Sequence, residues 1–179
     1  MGIEEDRHPP DEQIILLRES IRRSFPARVY TGDITPNDGI VAFELTEDQA
    51  ILDDDQFLYR ALKGQQWTDV PREFLKSQPD GYLLLADEAF AAFLSAWLVC
   101  SLENIEGENE IREFLAYSFC ETMRQFRLLN PEQRHTVRSM LAEFTQRGTV
   151  PFVREFMVKA LRLIDLFEQY GEPGYLYEL

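Results

Sequence analysis

Apolar residues at Ile14, Leu17, Ile21 and Phe25 recur at the three-to-four-residue spacing of one helical face. Pro10 and Asp11 precede the run and Pro26 follows it, so the spacing predicts a first helix between them. Between Arg28 and Phe43 the period is lost. There, Pro36, Asn37, Asp38 and Gly39 form a turn signal between Val29 with Tyr30 and residues 40–43, two β-prone pieces that predict a small β-hairpin near residues 29–43. Thr46 and Gln49 make a capping box, after which Ala50, Ile51, Phe57, Leu58, Ala61 and Leu62 run to a stop at Gly64. Asp69 is placed to cap a short helix from Val70 and Pro71 that carries Phe74 and Leu75.

The most apolar segment begins at Asp87, where Phe90, Phe93, Leu94, Trp97, Leu98 and Ser101 predict a core helix that fades into the polar residues 103–110. Ile111, Phe114, Leu115, Ser118, Phe119, Met123 and Phe126 continue as another helix. Asn130, Pro131 and Gln133 then supply a cap, a first-turn proline and a capping-box glutamine. Val137, Met140, Leu141 and Phe144 mark the helix they open, up to Gly148, and Val153, Phe156, Met157, Ala160, Leu161, Ile164 and Phe167 mark the last, up to Gly171. The short connection at residues 148–151 favours an antiparallel pair. The expected fold is mainly α: a single-domain multi-helix bundle over residues 11–179, behind a flexible arm of residues 1–10.

A chain of 179 residues with 45% hydrophobic content can build one core without disulfides or metal. Cys100 and Cys120 fall on consecutive predicted helices, roughly 10 Å out of register at 1.5 Å per residue, so a bridge is not expected. With no secretory signal in the polar first ten residues, the expectation is a cytoplasmic protein. The longest nearly apolar stretch, residues 89–102, is 14 residues, short of the roughly 20 that span a bilayer, so no membrane role is expected.

Charge changes the picture most. Residues 1–111 hold 23 Asp and Glu against 9 Lys and Arg, whereas residues 112–179 hold 9 of each. The net charge of −14 thus belongs to the first two thirds. Residues 32–59 carry eight carboxylates and no cation, and residues 77–111 carry seven under the same condition. Such a surface repels nucleic acid and attracts a basic protein partner. Arg124, Arg127, Arg134 and Arg138 are helically spaced, but Glu121, Glu132 and Glu143 offset them, and docking of these arginines on the acidic part is the preferred reading.

Candidate chemistry is sparse. Glu132 and His135 have the spacing of one metal-ligand pair, but His8 is the only other histidine and a glutamate in a first helical turn is explained by the helix dipole. Residues 33–39 lack the register of a calcium loop. Asp53, Asp54 and Asp55, consecutive on a helix, diverge rather than converge on an ion. Nucleophile elbows and phosphate-cradling glycine loops are missing, so neither catalytic residues nor cofactors are assigned. Trp97 reads as core, Trp67 equally as core or as a partner anchor. The apolar end at Tyr175, Leu176, Tyr177 and Leu179 is suited either to fold back or to dock.

Residues 83–98, with Trp67 before them and the Asn130 to Gln133 cap after them, resemble an uncharacterised family of short acidic bacterial proteins. The resemblance covers about residues 45–145, departs at Ala86 and Ser95, and implies a helical bacterial cytoplasmic domain with no assigned function. The functional expectation is a non-enzymatic acidic protein-binding module, an immunity-type inhibitor of a basic toxin or nuclease. Its contact residues are expected to be Asp53, Asp54, Asp55, Glu103, Glu106, Glu108, Glu110 and Trp67. The alternatives are a carboxylate-based or metal-dependent enzyme and a structural or regulatory oligomerising subunit.

Overall fold

The Asp11 carboxylate accepts the backbone N–H groups of Gln13 and Ile14 and opens α1 (Glu12–Ser24), which buries Ile14, Leu17, Ile21 and Ser24 along one face. The computed structural model describes residues 11–39, 54–105, 109–121, 124–147 and 151–171. Among these, seven further α-helices follow: α2 (Asp54–Leu62), α3 (Arg72–Ser77), α4 (Asp87–Ser101), α5 (Glu110–Glu121), α6 (Arg124–Leu128), α7 (Pro131–Gln146) and α8 (Pro151–Tyr170). Two 3₁₀ turns, Trp67–Asp69 and Gly81–Leu84, connect α2, α3 and α4. The predicted arm at residues 1–10, the capping box at Thr46 and the apolar end after Gly171 lie outside the described residues.

Helix α4 is the centre. Its Ala89, Ala96, Phe90, Phe93, Leu94 and Trp97 are buried, and α1, α3, α5, α6 and both 3₁₀ turns lie against it. The polar atoms of Trp97 and Tyr82 are matched in this core, whereas the Ser95 hydroxyl, 0% exposed on α4, has no hydrogen-bond partner among the described residues. The Trp97 indole N–H donates to the Gln78 carbonyl at 2.8 Å, and the Tyr82 hydroxyl lies 2.9 Å from that of Ser118. Burial pushes the Tyr82 phenol well above its ordinary pKa, so it stays neutral. On the other side, α8 is covered by α5 and α7. Arg134 pairs with Glu168 and Arg138 with Asp165, a rising-against-falling order that makes α7 and α8 antiparallel. The capping box at Asn130 and Gln133 forms as the sequence predicts, with reciprocal bonds of 2.9 and 3.0 Å.

The expected β-hairpin is a correction. No strand occurs among the described residues, and residues 40–43 lie outside them. Tyr30 instead exchanges backbone hydrogen bonds with the turn after α2, donating to the Gln65 carbonyl at 2.8 Å and accepting from Gly64 at 3.1 Å. The turn signal itself is the opening of a helical turn. Asp38 accepts from the Thr35 and Ile34 N–H groups at 2.7 and 2.9 Å, while the Thr35 hydroxyl accepts from Asn37 at 3.3 Å. A cap of this type with proline at the first position has the same composition as a hairpin turn. Lys63 locks the piece onto α2 by donating to the Gly32 carbonyl at 2.9 Å and to Asp38 at 3.0 Å. Two smaller expectations also change: Asp69 sits within a 3₁₀ turn and caps nothing, and Phe57 is exposed.

Candidate functional site

The connection from α4 to α5 is organised by one cation. Arg112 is buried, and its guanidinium donates to the carbonyls of Ser101, Glu103, Asn104 and Ile105 while stacking 5.0 Å from the Phe144 ring centre. Ser101 is the last residue of α4, so the guanidinium occupies the negative end of that helix and satisfies a carbonyl the helix leaves orphaned. Asn104 takes a left-handed conformation at φ 47°, and Asn109 completes the turn by donating to the Cys100 and Glu103 carbonyls. Asn109 also accepts the Arg112 N–H at 3.1 Å and thereby starts α5. Residues 101–105 and Asn109 are therefore tied to the start of α5.

Glu110, Glu113, Phe114 and Tyr117 lie on successive turns of one α5 face, and Phe152, Val153 and Phe156 lie on the facing side of α8. Together they line a shallow groove of 290 Å³. Its rings touch edge to face, Tyr117 on Phe156 at 5.4 Å and Phe152 on Phe156 at 4.6 Å between centres. Phe152 is 65% and Tyr117 49% exposed, against 0–2% for the phenylalanines of the core. Among the described residues, no Lys or Arg lines the groove. The next face of α8 differs: Arg154, Val158, Lys159 and Arg162 line an open depression with Glu155 as the one carboxylate among the described lining residues.

The residues predicted from sequence fall in three settings. Asp54 and Asp55 open α2, where Asp55 accepts from the Asn37 amide at 2.7 Å, and they line neither groove nor cleft. Trp67 and Glu103 are brought together in the lining of a cleft beside α4. Trp67 is buried and its indole N–H donates to the Phe25 carbonyl, so it acts first as core. Glu110 alone borders the aromatic groove. Asp53, Glu106 and Glu108 lie outside the described residues. Tyr117 and Phe152 were missed. Their signal was available, since both are large aromatic residues that fall off the apolar stripe of their own helix.

Groups of catalytic type are engaged or isolated. Cys100 and Cys120 are buried and unbridged, and burial raises both thiols, which keeps them protonated. His135 is exposed on α7, and Glu132 pairs with Arg23 at 3.5 Å. No group of three or more His, Cys, Asp or Glu gathers as a metal site among the described residues. The arginine stripe docks in part as expected: Arg124 reaches Asp87 at 2.6 Å, but Arg134 and Arg138 bind acids of α8 rather than the acidic part of the chain. No helix among the described residues is long and apolar enough to cross a membrane. Compared with protein-family profiles, curated proteins and solved structures, the chain matches none.

Proposed function

We propose that this protein is a non-enzymatic binding module, an immunity-type inhibitor that captures a basic toxin or nuclease. In this reading the groove between α5 and α8 takes an apolar anchor of the partner flanked by Lys or Arg. The observation that carries the reading is the pair of exposed aromatic rings with Glu110 and Glu113 on their rim, in a chain of net charge −14. Covering the open part of Phe152 and Tyr117 removes about 100 Å² each from water, roughly 2.5 kcal/mol apiece at 25 cal/mol per Å². Two such anchors contribute about 5 kcal/mol, less than half of what a nanomolar complex needs. The interface must therefore extend over the acidic rim, where opposite charge adds orientation and a faster encounter.

The test is capture of partners from native cells by the wild-type chain and by a Phe152→Ser, Tyr117→Ser double variant. A basic protein retained stoichiometrically by the first, lost by the second, and toxic when produced without its captor supports the proposal. Equal retention by both chains removes the groove from the interface. A second reading is self-association, favoured by the cationic outer face of α8, which complements the acid rim of another copy. Sedimentation at low salt separates the two, because a monomer at high concentration rules out the second.

A further inference from the structure

The cleft that holds Trp67 and Glu103 carries a cationic rim within the acidic first two thirds of the chain. It measures 240 Å³ and is walled by Trp67, Val70, Leu75, Ala96 and Val99, with Cys100 at its floor and Arg22 and Arg72 at its rim. The one carboxylate among its described lining residues, Glu103, lies 3.1 Å from Arg72 and 3.8 Å from Lys76, and its buried Oε1 accepts no hydrogen bond. Arg22, exposed in the last turn of α1, has no ion-pair or hydrogen-bond partner among the described residues. One turn earlier on the same helix, Arg18, which does not line the cleft, buries its Nε without a hydrogen-bond partner, so Arg22 is the uncommitted guanidinium at the cleft itself. In a chain with 32 acids and 18 bases this is a local reversal of charge over an apolar pocket.

We propose that this cleft binds a small organic carboxylate with an apolar body, seated against Trp67 and the α4 side chains with its carboxylate on Arg22. The apolar wall asks for a hydrocarbon or aryl portion, which an inorganic anion lacks. A guanidinium presents parallel donors that match the two oxygens of a carboxylate, and one uncommitted guanidinium suits a single charge better than a dianion. The volume fits a small molecule and not a peptide side chain with its backbone. Cys100 takes no chemical part, because its thiol is buried and raised above its ordinary pKa by that burial.

Phenylacetate and hexanoate are the probes, with phenylacetamide and hexanamide as uncharged controls of the same shape. Titration followed by amide and indole N–H resonances should give saturable shifts at Trp67 and residues 96–100, with a Kd at or below about 1 mM for at least one acid. The matching amide should bind about tenfold or more weakly. Arg22→Gln, on an exposed position, should reduce the acid to the level of its amide while the melting temperature stays within about 2 °C, since surface substitutions seldom move stability by more than about 0.5 kcal/mol. Absence of saturable shifts from both acids at about ten times that concentration overturns the proposal. Equal binding of acid and amide, or an unchanged Kd in Arg22→Gln, overturns it as well.

Discussion

Replacing Arg112 by Met tests whether the α4–α5 connection hangs on one guanidinium. The Met side chain is two heavy atoms shorter but of similar volume, so the change removes the donors and the charge with little loss of bulk. Arg112 is 1% exposed and donates to the Ser101 carbonyl through both Nε and Nη2 at 3.2 Å, to Ile105 at 2.9 Å, to Glu103 at 3.0 Å and to Asn104 at 3.1 Å. The acceptors are backbone carbonyls and remain after the substitution, so this is the costly case of one partner removed. Water can replace the donor at Glu103, Asn104 and Ile105, which are partly or fully exposed. It cannot readily do so at Ser101, which is 0% exposed, and that carbonyl alone costs about 1–3 kcal/mol. Loss of the cation over Phe144 adds about 1 kcal/mol. The relief of an ion no longer buried works in the other direction and keeps the total near 3 kcal/mol. For a chain of this size that lowers the melting temperature by roughly 6–12 °C. Circular dichroism reads the melting, and hydrogen exchange at residues 100–112 reads the loop. A variant within about 0.5 kcal/mol of wild type with unchanged exchange in that loop refutes the reasoning.

Phe152→Ala and Tyr117→Ala should each leave melting nearly unchanged but weaken partner binding by about 2 kcal/mol or more, as calorimetry would show; a fall in stability with intact affinity would assign the rings to the core. Asp38→Asn should cost about 1–3 kcal/mol at neutral pH in urea unfolding. Burial alone would raise the Asp38 carboxyl, but the Thr35 and Ile34 N–H groups and Lys63 more than offset it and hold the pKa below its ordinary value. Its contribution is therefore complete above the ordinary carboxylate range and lost as pH falls through the lowered value, so the gap between variant and wild type should close below about pH 3.9. Lys63 is raised by its bond to Asp38, so its share is complete below the ordinary lysine pKa and disappears as pH rises through the raised one. Thr136→Val removes the hydroxyl that lies 2.9 Å from both Ser20 and Ser24 where α1 meets α7, and should cost about 1–2 kcal/mol in the same assay; no change would mean that the serines re-pair with their own helix.

Helical period and capping chemistry made most of the elements legible. The stripe from Ile14 to Phe25, the core helix after Asp87 and the cap at Asn130 all read correctly because each rests on local spacing or on a local bond. The hairpin failed for a local reason too, since proline, asparagine and aspartate open a capped helical turn as readily as a β-turn. What could not be read was the use of each charge. Sequence marks Glu103 and Glu110 alike as members of one acidic run, yet Glu103 is tied to Arg72 and Lys76 while Glu110 borders open aromatic surface. Nothing in the spacing sets Arg112 apart from the other arginines. Its burial depends on the end of α4 meeting α5, a tertiary event with no signature in spacing.

The fate of the cations explains the lopsided surface better than the count of acids does. Arg112 is turned inward, Lys63 is pinned on Asp38 and Gly32, and Arg124, Arg134, Arg138 and Arg147 are paired with acids of the chain itself. Each such pair cancels in the outer field, so acids left without partners set the potential that an approaching molecule meets beyond about 8 Å at physiological salt. Close in, the groove is polar across its width: carboxylates stand on its α5 edge, and around α8 the neighbouring face carries Arg154, Lys159 and Arg162. A bound segment gains most when its cations face α5 and its own acids, if any, lie over the outer face of α8. Under the proposed function, the long-range field favours a basic partner, and the asymmetry of the groove is what would decide which way round that partner lies.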